Sequence, residues 1–155
     1  MKKNLLLTVI LLSFIFVGCS SDDDSSSPAG ADSIVGSWEL YEVYTSFTFD
    51  GMGTFEETIS TSTCDTTPVM SINTDGTVTA TDFEVDYDFD DNEECFIYGE
   101  QSGTWEDLGD GDFRLVLDGE SQDVSIRLGN NNNRIFITTV DDFFGGTIEF
   151  RGNRI

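Results

Sequence analysis

The stretch TDFEVDYDFDD, residues 81–91, alternates apolar and acidic side chains almost without a break. In an extended chain, Phe83, Val85, Tyr87 and Phe89 fall on one face and Asp82, Glu84, Asp86 and Asp88 on the other, because successive strand side chains point to opposite sides. A helix would scatter the same residues around its axis. The period recurs downstream: Phe113, Leu115 and Leu117, then Val124, Ile126 and Leu128, then Ile135 and Ile137, then Ile148 and Phe150. No long segment shows helical periodicity. Between these runs stand turn formers: Thr74-Asp75-Gly76, Gly109-Asp110-Gly111, Asp118-Gly119, Gly129 with Asn130 to Asn133, and Gly145-Gly146. Closely spaced strands joined by tight turns predict an all-β antiparallel up-and-down meander of about eight to ten strands with little or no helix. Closure into a barrel would remove its exposed edges.

The N-terminus predicts where this domain works. Lys2 and Lys3 precede an apolar run from Leu5 to Val17. That run is shorter than the roughly 20 residues a membrane-crossing helix needs, and a basic start followed by a short apolar core is the pattern of a secretory signal. Val17-Gly18 lead directly into Cys19. This seam resembles the lipobox of bacterial lipoproteins, in which the cysteine is lipidated and becomes the first mature residue. The resemblance implies a signal peptide over residues 1–18 and a membrane anchor at Cys19. The alternative is an ordinary signal peptide in which Cys19 is incidental. Residues 19–33 read as a lipidated, flexible, acidic tether, since Ser, Asp, Ala and Gly with one proline offer no bulky apolar surface to bury. Asp22-Asp23-Asp24 resembles the export signal of Bacteroidota surface lipoproteins, implying a place on the outer membrane facing the cell exterior. The bland alternative is that these acids keep a linker solvated.

Net charge is −23 and becomes −25 when the signal and its two lysines are removed. So acidic a surface repels nucleic acid, which is excluded as a partner. The 13 phenylalanines are spread along the chain, and residues 34–155 are long enough for one domain with an adequate core. With Cys19 assigned to lipid, Cys64 and Cys95 form an even pair in an oxidising compartment, which predicts a structural disulfide. Such a bridge would close a loop of about thirty residues and contribute about 3.5–4 kcal/mol. A zinc site is the alternative, but it needs four N/S ligands and the chain has no histidine.

The segment IVGSWELYEV, residues 34–43, places Gly36 two residues before Trp38. It looks like the Gly-x-Trp strand that opens lipocalin-type barrels. After it come Cys64, the hairpin segment Asn73 to Thr77, Cys95, and a second Gly-x-Trp at Gly103-Thr104-Trp105. This order resembles the bacterial lipocalin-like domain of short lipoproteins over Ile34 to Arg151. The resemblance implies a lipocalin-like, calycin-type barrel over 34–155. The chain ends just after a strand, without the C-terminal helix of eukaryotic lipocalins. Gly36, Trp38 and Trp105 are then structural residues, with Trp38 a plug at the closed end and Trp105 a core or cross-strand residue. Ligand stacking by the tryptophans is the sharper alternative.

Chemistry is sparse. Without histidine there is no Ser-His or Cys-His nucleophile, no phosphate loop sits between a strand and a helix, and most carboxylates alternate outward or lie in turns. The chain therefore reads as a non-enzyme without a cofactor. Asp86-x-Asp88-x-Asp90 matches half of a calcium loop, but Asp91 stands at the required glycine and Ile97 at the bidentate glutamate. Asp107, Asp110 and Asp112 form a second acidic group. Both read as solvated strand faces and turns, with a different calcium site on the loop Asp90 to Glu94 as the alternative for the first, and no metal site is assigned. The leading expectation is a barrel holding a small hydrophobic or amphipathic ligand against Phe83, Val85, Tyr87, Leu115, Ile126 and Ile137. Phe143 and Phe144 would act as an aromatic lip at its mouth, or fold over the core. The overall charge predicts neutral or cationic ligands in preference to fatty acids. The alternative is an accessory lipoprotein with a packed barrel that works through protein partners.

Overall fold

The computed structural model describes residues 27–87, 93–140 and 145–155. Residues 1–18, expected to be a signal peptide, and Cys19 and Asp22 to Asp24 lie outside the described residues, as do Phe89, Asp88, Asp90 and Asp91 of the opening stretch, and Phe143 and Phe144. The chain forms β1 (Ser27–Pro28), a single helical turn α1 (Ala31–Ile34), β2 (Gly36–Phe49), β3 (Gly53–Ser60), a 3-10 turn (Thr61–Thr63), β4 (Val69–Ile72), β5 (Thr77–Tyr87), β6 (Glu93–Gly109), β7 (Asp112–Leu117), β8 (Glu120–Gly129), β9 (Arg134–Val140) and β10 (Thr147–Arg154). All pairings are antiparallel. The order β2-β4-β5-β6-β7-β8-β9-β10 returns to β2 and closes an eight-stranded, lipocalin-like barrel. Each strand from β4 on pairs with the next, as an up-and-down meander requires.

The short turns use the residues the sequence offered. Asp118 and Gly119 form a two-residue hairpin between Leu117 and Glu120, both with positive φ (48° and 90°). That is the turn hand that matches strand twist. Asn130, Asn131 and Asn132 also take positive φ, a region in which Asn is enriched among non-glycine residues.

Inward faces build the core. Trp38, Ile72, Val78, Phe113, Ile126 and Ile135 are fully buried. They lie toward one end of the barrel, where β2, β5, β7 and β9 begin and β4, β6, β8 and β10 end. Residues 27–33, which composition assigns to a free tether, are docked at this end. Ser27 and Pro28 pair with Leu128 and Arg127, the Ala29 amide donates to the Ile126 carbonyl (3.1 Å), and Ala29 is buried. A backbone ladder and one small apolar residue hold down a segment that lacks bulky side chains.

β2 is long enough to serve two neighbours. Glu42 to Phe49 pair with β3, and Gly36 to Glu39 pair with β4. Leu40, between the two ladders, has its backbone satisfied otherwise: its amide donates to the Pro68 carbonyl (2.8 Å), and its carbonyl accepts from Thr61 Oγ1 (2.7 Å). Buried backbone polar groups need such partners. The β3–β4 connection therefore belongs to the barrel wall, and the Cys64–Cys95 disulfide ties it to β6. Cys95 stands opposite Val85 on β5. There β5 has run beyond Met70 to Ile72, the residues of β4 that pair with it. The expected bridge forms, and it covers the part of the wall where the β4–β5 ladder has ended.

Candidate ligand cavity

The two ends of the barrel differ. At the closed end the Trp38 ring is fully buried and its Nε1 donates to the Ile34 carbonyl (2.9 Å). The Arg154 guanidinium lies over the ring at 4.1 Å from its centroid, near enough for a cation–π contact. It also donates to the carbonyls of Val35 (2.8 Å), Ser33 (2.7 Å) and Asn132 (3.0 Å). Gly36 makes room for this arginine: its φ is +144°, and a Cβ there would stand 2.6 Å from Arg154 Nη1. The space beside the tryptophan is taken by a guanidinium, which the Gly-x-Trp spacing alone did not indicate. Trp105 lies toward the same end, tilted against Phe113 with its Nε1 donating to the Asn73 carbonyl (2.9 Å). Gly103 is equally constrained, since a Cβ would collide with the Val116 carbonyl at 1.6 Å. Neither tryptophan lines the cavity described next.

Toward the other end the core thins into a cavity of about 440 Å³. Its inner part is apolar: Leu40, Met70, Ala80, Leu115, Val124 and Ile137, all buried. Phe83 and Phe150 meet edge to face on its wall, with ring centroids 6.3 Å apart. The outer part is polar, with Asp82, Asp118, Glu120, Gln101, Gln122 and Thr139. Asp118 Oδ1 accepts from the Ser102 amide (3.2 Å), and Gln122 donates to Thr139. The volume falls within the range of small-molecule pockets, which are mostly apolar with a few polar groups.

Of the residues expected to line a pocket, Phe83, Leu115 and Ile137 do so. Ile126 does not. It faces inward but sits deeper, completely buried in the packed half, because strand alternation specifies a face and not a depth. Val85 is also absent from the lining. It lies farther along β5, opposite Cys95 and past the cavity wall. Tyr87 is the last described residue of β5. Asp82 differs in the opposite sense: alternation counted from Phe83 sets it outward, yet it lines the cavity together with Phe83 and continues the inward face of Val78 and Ala80. The β5–β6 register shifts between these two residues, and such a bulge re-aims neighbouring side chains. Asp118 was legible as a turn residue, but nothing in the spacing placed that turn, or Glu120 just after it, at a cavity mouth.

The cations are elsewhere. Arg127 and Arg151 hold the buried carboxylate of Glu149 on the outer wall (2.6 and 2.8 Å), and Arg151 also pairs with Glu42. Burial works against the Arg151 charge, but Glu149 and Glu42 outweigh it and raise its pKa. Arg134 lines the same outer depression as these groups. Arg114 pairs with Asp123 on the barrel surface (2.7 Å). In the second acidic group, Asp107 accepts from the Gly109 amide (2.8 Å) and Asp112 from Ser125 (2.5 Å). Among the described residues no three His, Cys, Asp or Glu side chains gather to hold a metal ion. Compared with known proteins, the chain matches no family model and no curated sequence.

Proposed function

We propose that the protein is a lipid-anchored, surface-displayed outer-membrane lipoprotein whose barrel holds a small hydrophobic or amphipathic ligand. The cavity carries this reading. A small eight-stranded barrel can be filled by its own side chains or can hold one ligand, and here about 440 Å³ at the mouth end is left unfilled. Anchoring rests on the Gly18-Cys19 seam after a basic start and an apolar run, and surface display on Asp22 to Asp24. The resemblance to bacterial lipocalin-like lipoprotein domains supports both parts.

Titration with a neutral apolar fluorophore such as N-phenylnaphthylamine tests the reading. The expected result is one micromolar site, lost in Ala80→Phe, which fills the cavity, with the melting transition retained. No binding by the folded, disulfide-intact protein would overturn it in favour of an accessory lipoprotein acting through protein partners. That second reading has its own observation. Among the described residues β3 pairs with β2 alone, and Met52 and Phe55 beside that edge are exposed. Such an edge can accept a strand from another protein.

A further inference from the structure

We infer that the cavity selects a cationic amphiphile, an amine or quaternary ammonium on an apolar body, with the cation among Asp82, Asp118 and Glu120 and the body against Leu40, Leu115, Ile137 and Phe83. This rests on the ligand-binding reading above and specifies its ligand class. Three carboxylates line the outer part of the cavity, and no Lys or Arg is among the lining residues. The chain has five arginines beyond its signal segment, and none of them faces the cavity. Arg114, Arg127 and Arg151 are paired with acids on the outer wall, Arg134 lines the depression beside them, and Arg154 is held at the closed end by Trp38 and backbone carbonyls. The three acids thus have no fixed counter-charge at the mouth.

The asymmetry matters because it lies directly over an apolar interior. A ligand whose tail enters the barrel leaves its head group where the carboxylates are. An ammonium there gains their attraction, and the Phe83–Phe150 pair on the same wall offers aromatic surface to it. A carboxylate head would face like charges. Gln101, for which no partner is seen among the described residues, is the main side-chain donor it would find. Net charge attracts cations to the whole molecule. The collar acts at one place, so its contribution separates from the general field.

The test uses the full chain carrying Cys19→Ala and three probes with one common tail, dodecyltrimethylammonium, dodecanol and dodecanoate, each displacing N-phenylnaphthylamine below its micellar concentration. The ammonium should bind about tenfold more tightly than the alcohol at low salt, as expected for opposite charges a few ångströms apart near water, and the carboxylate more weakly than either. Salt should shrink the difference. The triple variant Asp82→Asn, Asp118→Asn, Glu120→Gln should erase it while leaving dodecanol affinity unchanged. A control triple, Asp50→Asn, Glu56→Gln, Glu57→Gln, changes net charge equally in the β2–β3 hairpin, outside the cavity lining, and should preserve it. Equal binding of all three probes, or loss of the preference in both triples alike, overturns the collar and leaves the binding reading standing. Binding of none of the probes, with N-phenylnaphthylamine also failing to bind, overturns both.

Discussion

The closed end and the mouth of this barrel are built from the same strands, and they put their aromatic residues to different uses. At the closed end Trp38 has no exposed surface, an indole hydrogen bond and an arginine over its face. At the mouth Phe83 and Phe150 are only partly buried and border open volume. The difference follows from what covers each end. α1 and the last residues of β10 meet at Trp38 and β1 docks on β8 at the same end, while the mouth ends in acidic and amide side chains. Stability is therefore expected to be concentrated where the chain's own segments close the barrel, and the other end is left unfilled.

This contrast can be broken most directly at Trp38. Trp38→Ala removes a fully buried ring and leaves Arg154 without its aromatic partner, and should cost about 3–5 kcal/mol, measured by urea denaturation. A loss below about 1 kcal/mol would mean that the closed end is not the stability centre. Next comes the disulfide. Cys64 and Cys95 are 31 residues apart, so replacing both with serine should remove about 3.5 kcal/mol through a less constrained unfolded chain. The melting temperature should fall by about 10 °C. Because the bridge covers the wall beyond the β4–β5 ladder, hydrogen exchange should rise in β3 and in the outer half of β5 before it rises around Trp38. Uniform acceleration would show the two ends to be one cooperative unit.

The smallest stability effect is expected at the mouth. Phe83→Ala removes one half of an edge-to-face pair beside an existing cavity, and should cost about 1–2 kcal/mol. Its effect on N-phenylnaphthylamine binding should be larger in proportion, about tenfold in affinity. A stability loss matching that of Trp38→Ala would place Phe83 in the load of the core and erase the distinction between the ends.

How much of this was legible beforehand depends on the residue. The inward positions of Phe113, Leu115, Val124, Ile126, Leu128, Ile135 and Ile137 follow from period-two alternation, and all are buried. The disulfide follows from cysteine parity and the expected oxidising compartment. Asp82 is the instructive miss. It continues the inward face of Val78 and Ala80, and the register shift after it lets Phe83 face inward as well, which depends on how β5 meets β6. Ile126 and Val85 were assigned to the right kind of element but to the wrong depth along the barrel. Arg154 went unread because three of its partners, Ser33, Val35 and Trp38, lie more than a hundred residues upstream.

From sequence alone came the all-β class, the turn positions, the faces of most strands and the Cys64–Cys95 pair, because each depends on neighbouring residues or on simple counting. Tertiary structure alone decided that residues 27–33 dock, that Arg154 fills the space beside Gly36, and that Asp82, Asp118 and Glu120 share one cavity mouth with no cation beside them. Those three acids come from two separate places in the chain. Only closure of β2 onto β10 turns the sheet into a barrel, and a barrel gives its strands two ends and an interior of limited volume.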